Sequence, residues 1–546
     1  MTLSLGRFVG STYDWIRAAA FELSPAGRAG AKERDRADAF LDAFARAGDA
    51  RFSGTVLVDG TFDNPNYWAR YALLRRSLGL AQAREVGIVG PFKRRHVRGT
   101  FERMGISEIC DFGEMAPDAQ TRDAAQKLAA QTRDPDGALA WQLPGGMNPA
   151  ILYDGVLKAQ RLPSVDLLRA DFVPNVAQAL ACFARAREIL AATKPDLLVV
   201  SHPVGLRCAG LAWHALQQGI PTILAFGLFG VLRYARMDKP DDLFEFYDHP
   251  TQAEIDGLPE EKALLLQAIG RRYVDARMRG KSDDLAALLA FRRRPGFVDR
   301  AAIAARFGWD PAKPIVAVYA SNWFDWPHQL GMRNFRDFRD WIAVTAAAAA
   351  ANRDVNWLFK PHPAETVFGG PSLTELLPQM ATGPNIALCP TDWNNGAVMK
   401  AIDALVTYHG TSGVEFAALG KPVLLPDVGK YHRAGFAHVA QSRADYVDCL
   451  SRRWWTSRDA VGDRRRAEIY AGWWFCAADW QGGFVFEDDS RRDALYAGLP
   501  ALFADNPGAV AREVDEIAAW WRSGETHYHK TKMRRAEGYA LSNVSN

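Results

Sequence analysis

The sequence predicts an α/β protein in which two Rossmann-like domains face each other across a cleft, with extra helices at both ends of the chain. Two separate stretches of alternating strand and helix patterns predict the two domains. The chain has 546 residues, more than a single hydrophobic core usually supports. Hydrophobic residues make up 48% of the chain, which is enough to build two such cores.

The first half is predicted to hold an N-terminal helical segment, residues 1–50, and the first Rossmann-like domain, residues 51–240. Short apolar runs that end in polar or glycine-containing turns predict buried strands. In this domain they are residues 54–59, 85–89, 106–112, 196–201 and 221–225. Helical patterns between them supply the right-handed crossovers of a parallel sheet.

The second half is predicted to begin with a polar helical connector, residues 241–310, followed by the second Rossmann-like domain, residues 311–440. The same strand signals recur there in five apolar runs. They are residues 315–319, 355–359, 386–389, 404–407 and 423–425. A helical region, residues 441–546, is predicted to complete the chain.

The C-terminal region carries tryptophan pairs at positions 454–455, 473–474 and 520–521. Packing in a core or between domains is the first interpretation of such large apolar rings. The alternative is peripheral contact with the inner membrane, because arginines flank the rings and the segment 527–535 is rich in cations.

Composition and the N-terminus restrict the partners and the compartment. Lys plus Arg (66) nearly balance Asp plus Glu (63), and a net charge of +3 argues against a nucleic-acid partner. The apolar stretch 8–23 is interrupted by Asp14, Arg17 and Glu22, unlike a signal peptide. The other apolar runs are too short to cross a bilayer. We therefore expect a cytoplasmic protein.

The strongest functional pattern follows two strands of the second domain. Lys360-Pro-His-Pro-Ala-Glu comes after one strand, and His409-Gly-Thr-Ser comes after a later one and opens a helix. Free N–H groups of a first helical turn, together with hydroxyl, imidazole and ammonium donors, bind phosphate. The pair of motifs predicts a nucleotide or nucleotide-sugar site. Taken singly, each motif is also compatible with an ordinary turn or a helix N-cap.

Polar residues that follow the strands of the second domain are the candidates for donor binding. Glu415 is predicted to accept hydrogen bonds from ribose hydroxyls, and capping of the helix dipole is an equal alternative. The predicted donor-binding residues are Asn322, Lys360, His362, Glu365, Asp392, His409, Gly410, Thr411, Ser412, Glu415 and Tyr431.

The first domain supplies the remaining candidates, because carboxyl ends of parallel strands meet at one crevice. Asp59 and Asn64 are predicted to bind the second substrate, the acceptor. Asp63 is the preferred general base and His202 the other candidate, while His362 is predicted to assist the departing phosphate. A helix-capping role before Pro65 is an equal interpretation of Asp63 and Asn64.

Four motifs of the second domain resemble the bacterial capsule polysaccharide biosynthesis family. They are the segments 360–365, 408–415, 420–423 and 430–436, all within residues 355–436. The family includes GT-B glycosyltransferases that transfer 3-deoxy-manno-octulosonic acid (Kdo) from CMP-Kdo. The resemblance implies that His362, Thr411 and Ser412 hold the donor phosphate, supported by Lys360 and Glu365. It also implies a cell-surface polysaccharide or a lipid-linked glycan as the acceptor.

No metal and no cofactor other than the nucleotide-sugar substrate is predicted. Asp134-Pro-Asp136 fits the D-x-D pattern of metal-dependent transferases, but it lies in a helical region and is predicted to be a surface turn. A GT-B site uses a helix N-terminus and basic side chains in place of the metal. The cysteines form no C-x-x-C pair and no zinc spacing.

Three alternatives share these motifs or this architecture. The first is a CDP-glycerol-type glycerophosphotransferase, and the second is a sugar-nucleotide 2-epimerase, which acts within one nucleotide sugar. The third is a non-catalytic module that binds a nucleotide sugar without turnover. A donor screen separates the four functions. Free nucleotide with sugar transfer indicates the glycosyltransferase, transferred phosphoglycerol the phosphotransferase, an isomerised donor the epimerase, and binding without turnover the non-catalytic module.

Overall fold

The computed structural model describes residues 52–61, 65–91, 94–113, 115–225, 233–246, 249–280, 290–291, 298–363, 365–475 and 507–529. The predicted N-terminal helical segment lies outside these residues, as do Asp63 and Asn64. Within the described residues the structure has two mostly parallel sheets flanked by helices, so the predicted α/β class with two Rossmann-like domains is confirmed.

The first sheet has seven strands among the described residues, in the order β13-β6-β5-β4-β1-β2-β3. Strands β1 to β5 pair in parallel, whereas β6 pairs antiparallel with both β5 and β13. Their bounds are β1 Thr55–Gly60, β2 Arg84–Val89, β3 Glu108–Asp111, β4 Leu197–Val200, β5 Thr222–Leu224, β6 Arg233–Met237 and β13 His527–His529.

Helices on both faces explain why the central strands are apolar throughout. All four residues of β4 are buried, as expected for a parallel strand covered on both sides. The helices of this half are α1 Pro65–Leu78, α2 Arg94–Arg103, α3 Ala119–Gln131, α4 Pro135–Leu139, α5 Pro149–Gln160, α6 Phe172–Thr193 and α7 Cys208–Gln217.

The second sheet is parallel throughout the described residues, in the order β12-β11-β10-β7-β8-β9. Its strands are β7 Ile315–Tyr319, β8 Asn356–Lys360, β9 Ile386–Leu388, β10 Ala404–Thr407, β11 Val423–Leu425 and β12 His438–Val439. The ten strands predicted from the sequence are confirmed. The sequence did not predict the edge strands β6, β12 and β13.

Helices α8 Gln252–Asp256, α9 Glu260–Met278 and α10 Arg300–Phe307 lie in the predicted connector. The second sheet is flanked by α11 Phe338–Ala351, α12 Glu365–Phe368, α13 Leu373–Met380, α14 Asn395–Ala401 and α15 Ser412–Ala418. The C-terminal region forms α16 Arg443–Ser451, α17 Ala460–Trp474 and α18 Pro507–Ser523. Among the described helices, none combines the length and the hydropathy that crossing a bilayer requires.

Helices α9 and α17 approach each other so closely that two glycines are required at the contact. A Cβ atom on Gly270 would overlap the backbone of Glu468, and one on Gly472 would overlap the backbone of Leu266. Both glycines are therefore fixed by packing. The contact joins the connector to the C-terminal region.

The C-terminal residues return to the first domain. Helix α18 packs on α1, and β13 extends the first sheet beside β6. The Trp520 ring is buried, with its centroid 6.0 Å from that of Tyr234. Trp454, Trp473 and Trp474 are also buried. The core interpretation of these four rings is confirmed, and they present no exposed surface to a membrane.

Helix α5 links the domains through two buried carboxylates. The Asp154 carboxylate accepts hydrogen bonds from His328 Nδ1 at 2.7 Å and from the Gln329 backbone N–H at 3.0 Å. The Tyr153 hydroxyl donates to Asp337 at 2.8 Å. These bonds hold the loop after β7 against the first domain. The Gly205 N–H in the loop after β4 also donates to Gln329 Oε1 at 2.7 Å, so loops at the carboxyl ends of the two sheets contact each other.

Candidate functional site

Histidines from both domains meet where the carboxyl ends of the two sheets face each other. His202 follows β4 of the first domain and His409 follows β10 of the second. Burial lowers the pKa of His202 to about 4, with Asp325 opposing and Lys430 adding to the shift. Burial also lowers the pKa of His409 to about 3, and the same Lys430 and Asp325 act on it. Both imidazoles are therefore neutral at pH 7, and the same two charged side chains act on both of them.

The two imidazoles differ in what they contact. His202 Nδ1 accepts a hydrogen bond from the Val204 backbone N–H at 3.2 Å. His409 Nε2 is buried and has no hydrogen-bond partner among the described residues. A buried polar nitrogen without a partner is costly, and a ligand that accepts or donates a hydrogen bond removes that cost.

The motif after β8 adds His362 and Lys360 to this region. The charge on His362 lowers the pKa of His409 further, after burial and Lys430, so the two histidines are neighbours. The Lys360 ammonium group lies 5.8 Å from the centroid of the Tyr319 ring, and the side chain is buried. The Tyr319 hydroxyl donates to Asn395 Oδ1 at 2.6 Å, which fixes the ring beneath the lysine.

A tyrosine side chain is hydrogen-bonded to the loop Gly410-Thr-Ser. The Tyr431 hydroxyl donates to the Gly410 carbonyl at 2.7 Å. A Cβ atom on Gly413 would overlap that hydroxyl, so glycine is required for the tyrosine to reach the loop. Tyr431, predicted to contact the donor, is itself buried and supports the loop.

Glu415 lies in a buried ion pair that the sequence did not predict. Its Oε1 accepts from Arg277 Nε at 2.8 Å, and Arg277 Nη2 also donates to Thr411 Oγ1 at 3.2 Å. The side chains of Arg277 and Glu415 are 2% and 4% exposed. The contact of Glu415 with ribose stays a prediction, and any ribose would share the carboxylate with Arg277.

The remaining donor-site candidates have different environments. Glu365 is half-buried, which raises its pKa, and its Oε2 accepts from the Leu373 backbone N–H at 3.3 Å. Asn322 is buried, and its backbone carbonyl accepts from the Asp325 N–H at 3.2 Å. Asp392 is exposed. Donor binding by Glu365, Asn322 and Asp392 stays a prediction.

Asp59 has its carboxylate fully occupied by the first domain itself. One oxygen accepts from the Thr61 N–H at 2.8 Å and from the Thr61 hydroxyl at 2.6 Å. The other accepts from the Ser201 hydroxyl at 2.9 Å. Asp59 therefore joins the ends of β1 and β4, and its contact with an acceptor stays a prediction.

Sequence reasoning did not single out three charged residues of the region, although Asp325 follows β7 and Lys430 lies in the motif 430–436. Lys158 on α5 pairs with Asp325 at 3.5 Å across the domain contact. Lys430 acts on both cleft histidines, as described above. Lys158, Asp325 and Lys430 are far apart in the sequence, and only the fold brings them together. In contrast, Asp134 N-caps α4 by accepting from the Gly137 N–H at 2.9 Å, and Asp136 lies in the first turn of that helix, so the segment begins a short helix where a surface turn was predicted.

Comparisons with known proteins leave the family open. No protein-family model matches the sequence, and no curated protein matches it. Among solved structures, UDP-GlcNAc 2-epimerase from Neisseria meningitidis bound to UDP-GlcNAc is 11% identical, with a TM-score of 0.24 over 77% of this chain and 97% of that chain. A glycosyltransferase from Rickettsia africae is 10% identical, with a TM-score of 0.28 over 85% and 99%. TM-scores this low do not identify a shared activity.

Proposed function

We propose that this protein is a GT-B glycosyltransferase that transfers a sugar from a nucleotide-activated donor to a cell-surface polysaccharide or a lipid-linked glycan. The observation that carries the proposal is that the loops after β4 and β7 contact each other, with the Gly205 N–H donating to Gln329 Oε1 at 2.7 Å. Lys430 of the second domain acts electrostatically on both His202 and His409 there, and His362 acts on His409. Substrates bound between facing sheets contact both domains, as transfer from a donor to an acceptor requires. Kdo, carried by CMP, is the proposed donor sugar, because the motifs resemble those of Kdo transferases.

The proposed donor site holds the phosphate in the second domain. His362 and the hydroxyls of Thr411 and Ser412 donate hydrogen bonds to it, and Lys360 supplies positive charge. When the bond between the sugar carbon and the phosphate oxygen breaks, the phosphate takes the bonding electrons. Donors already in place stabilise that charge without reorganisation. We therefore propose that transfer needs no metal ion and no cofactor.

The proposed acceptor side is the first domain. The acceptor hydroxyl attacks the sugar carbon and loses its proton to a general base, so that one C–O bond forms as the other breaks. His202 and Asp63 are the proposed bases. Because Nδ1 of the neutral His202 ring accepts from the Val204 N–H, His202 would take up the proton at Nδ1 after releasing that hydrogen bond. Asp325, which acts electrostatically on His202, would stabilise the imidazolium that results.

The cytoplasm is the proposed location. Peripheral contact with the inner membrane would follow from a lipid-linked acceptor. The buried tryptophans do not supply that contact, and the segment 530–535 of the cationic tail lies outside the described residues. Membrane contact is accordingly a proposal about the acceptor and not about the four buried tryptophans.

The test is a donor screen with the full chain. CMP-Kdo, UDP-sugars and CDP-glycerol are each incubated with a lipid-linked glycan acceptor, and products are measured by mass spectrometry. Release of free nucleotide together with sugar transfer supports the proposal. An isomerised donor would identify an epimerase, transferred phosphoglycerol a phosphotransferase, and binding without turnover a non-catalytic module.

Two substitutions connect the activity to the cleft. His362→Ala should lower kcat/KM by about 10²-fold, because it removes a hydrogen-bond donor to the leaving phosphate. Lys430→Ala should also lower it, whereas Lys127→Ala should not, because Lys127 is exposed on α3. Full activity in both cleft variants would show that catalysis takes place elsewhere.

A further inference from the structure

We propose that His438, Asp445 and Cys449 form a binding site for a zinc ion at the edge of the second sheet. Their ligand atoms all lie within 4.8 Å of one another. Cys449 Sγ lies 3.3 Å from His438 Nε2. The site is separate from the cleft histidines, and it does not depend on the proposed transferase activity.

Two secondary-structure elements place the three ligands. His438 begins the edge strand β12, while Asp445 and Cys449 lie one helical turn apart on the same side of α16. The start of α16 is fixed, because the Asp445 N–H donates to the Ser442 hydroxyl at 3.1 Å. The Asp445 Oδ2 accepts from the Gln441 N–H at 2.8 Å, which orients the carboxylate.

The spacing fits tetrahedral coordination. Zinc bonds of about 2.0–2.3 Å place the ligands of a tetrahedron about 3.3–3.8 Å apart. The 3.3 Å sulfur-to-nitrogen distance is already at the lower end of that range. The carboxylate oxygen lies within 4.8 Å of both atoms and has to move closer by up to about 1 Å to complete three corners. His438 and Asp445 are half-buried, so that water can occupy the fourth corner.

The donor set favours zinc over other common ions. One imidazole nitrogen, one thiol sulfur and one carboxylate oxygen are ligands that zinc accepts together. Calcium and magnesium require oxygen ligands, which the histidine and the cysteine do not supply. In the absence of metal the thiol and the imidazole share a hydrogen bond, and on binding the ion would displace the thiol proton.

Two arginines near the site oppose a cation. Arg452 Nη2 lies 3.9 Å from Cys449 Sγ, and Arg458 lies close enough to His438 to lower its pKa after burial. Each guanidinium is paired with a carboxylate outside the site. Arg452 donates to Asp448 at 2.8 Å, and Arg458 Nε donates to Asp463 at 2.8 Å. We expect these charges to weaken zinc binding without preventing it, so Arg452→Ala should bind zinc more tightly.

The test is a titration of the tag-free, chelator-treated full chain with Co²⁺ and then Zn²⁺. We expect one equivalent of Co²⁺ to give the absorption of a tetrahedral ion with a thiolate-to-metal band, and Zn²⁺ to abolish it. Cys449→Ser should lose the band and bind at least about 10-fold more weakly, since loss of an outer partner alone costs that much. Cys110→Ser should behave as the parent, because Cys110 lies outside the cluster.

Two outcomes would overturn the site. One is equal affinity of the parent and Cys449→Ser, and the other is a cobalt spectrum without a thiolate band in the parent. Asp445→Asn and His438→Gln provide the same comparison if Cys449→Ser fails to fold, which circular dichroism would show. Zinc should also raise the Tm of the parent and of Cys110→Ser but not that of the ligand variants.

Discussion

Replacing Arg277 with methionine tests the buried ion pair beside the proposed phosphate loop. Methionine keeps most of the apolar stem but removes the group that donates to Glu415 at 2.8 Å and to Thr411 at 3.2 Å. The Arg277 and Glu415 side chains are 2% and 4% exposed, so water does not replace the lost partner. Removing one member of such a pair costs about 3–5 kcal/mol, because the remaining charge stays buried.

The measurement is urea unfolding of the full chain, followed by tryptophan fluorescence and circular dichroism. Arg277→Met should lower the unfolding free energy of the transition that includes the second domain by about 3–5 kcal/mol. The control Arg279→Met lies two residues away with an exposed side chain and should change it by less than about 0.5 kcal/mol. Adding Glu415→Gln to Arg277→Met should restore part of the loss, since the buried carboxylate that has lost Arg277 is then replaced by a neutral group.

A loss below about 1 kcal/mol for Arg277→Met would refute this reasoning. It would mean that Glu415 is protonated or satisfied equally well by other groups. Failure of Glu415→Gln to restore any stability would have the same meaning. The result bears on the predicted contact of Glu415 with a ribose. A carboxylate that the protein needs to pair with Arg277 for stability would have to bind the ribose and Arg277 together.

Three further predictions concern the cleft and its loop. The unfolding free energy should fall as the pH decreases from 6.5 towards 4, by up to about 1.4 kcal/mol per pH unit for each of His202 and His409, because these imidazoles take up protons in the unfolded chain and not in the folded one. Urea unfolding at each pH should show a weaker pH dependence of stability for His202→Gln. An equally steep pH dependence would contradict the lowered pKa of His202. Gly413→Ala should cost about 1–3 kcal/mol in urea unfolding and weaken donor binding, since the new Cβ displaces Tyr431, whereas Gly99→Ala, with open space around its Cβ position, should cost nothing. Sugar transfer should survive EDTA in an activity assay, and a loss that Mg²⁺ or Mn²⁺ restores would rule out metal-independent transfer.

The sequence predicts the central strands of both sheets because parallel strands are apolar on both faces. Leu197–Val200 is a continuous apolar run, and its burial is complete. The strands that escaped prediction lack this signal. Arg233–Met237 contains two arginines, and His438–Val439 and His527–His529 are very short. Edge strands of this kind are defined by their neighbours and not by their own pattern.

Residues of the candidate site also differ in whether the sequence alone could predict them, and the reason is again physical. Local motifs such as Lys360–Glu365 are contiguous in the chain, so their chemistry is readable without a fold. Arg277 lies 138 residues from Glu415 along the chain, in a helix that the sequence shows only as part of a connector. The proposed zinc ligands His438, Asp445 and Cys449 do not follow a familiar zinc spacing, because a strand edge and a helix face supply them separately.

The pairing of β13 with β6 makes the second domain an insertion within the first. Ending the chain after Met237 would remove β13, so the outer edge of β6 would have no neighbouring strand and would be prone to aggregation. It would also expose Tyr234, which Trp520 and Tyr528 cover in the intact protein. The first domain would instead have to be produced with a short linker that replaces the inserted half and keeps residues 507–529. The intervening half could be expressed as one continuous piece. The first domain can therefore be isolated only by excising the second, whereas the second can be isolated by truncation at both ends.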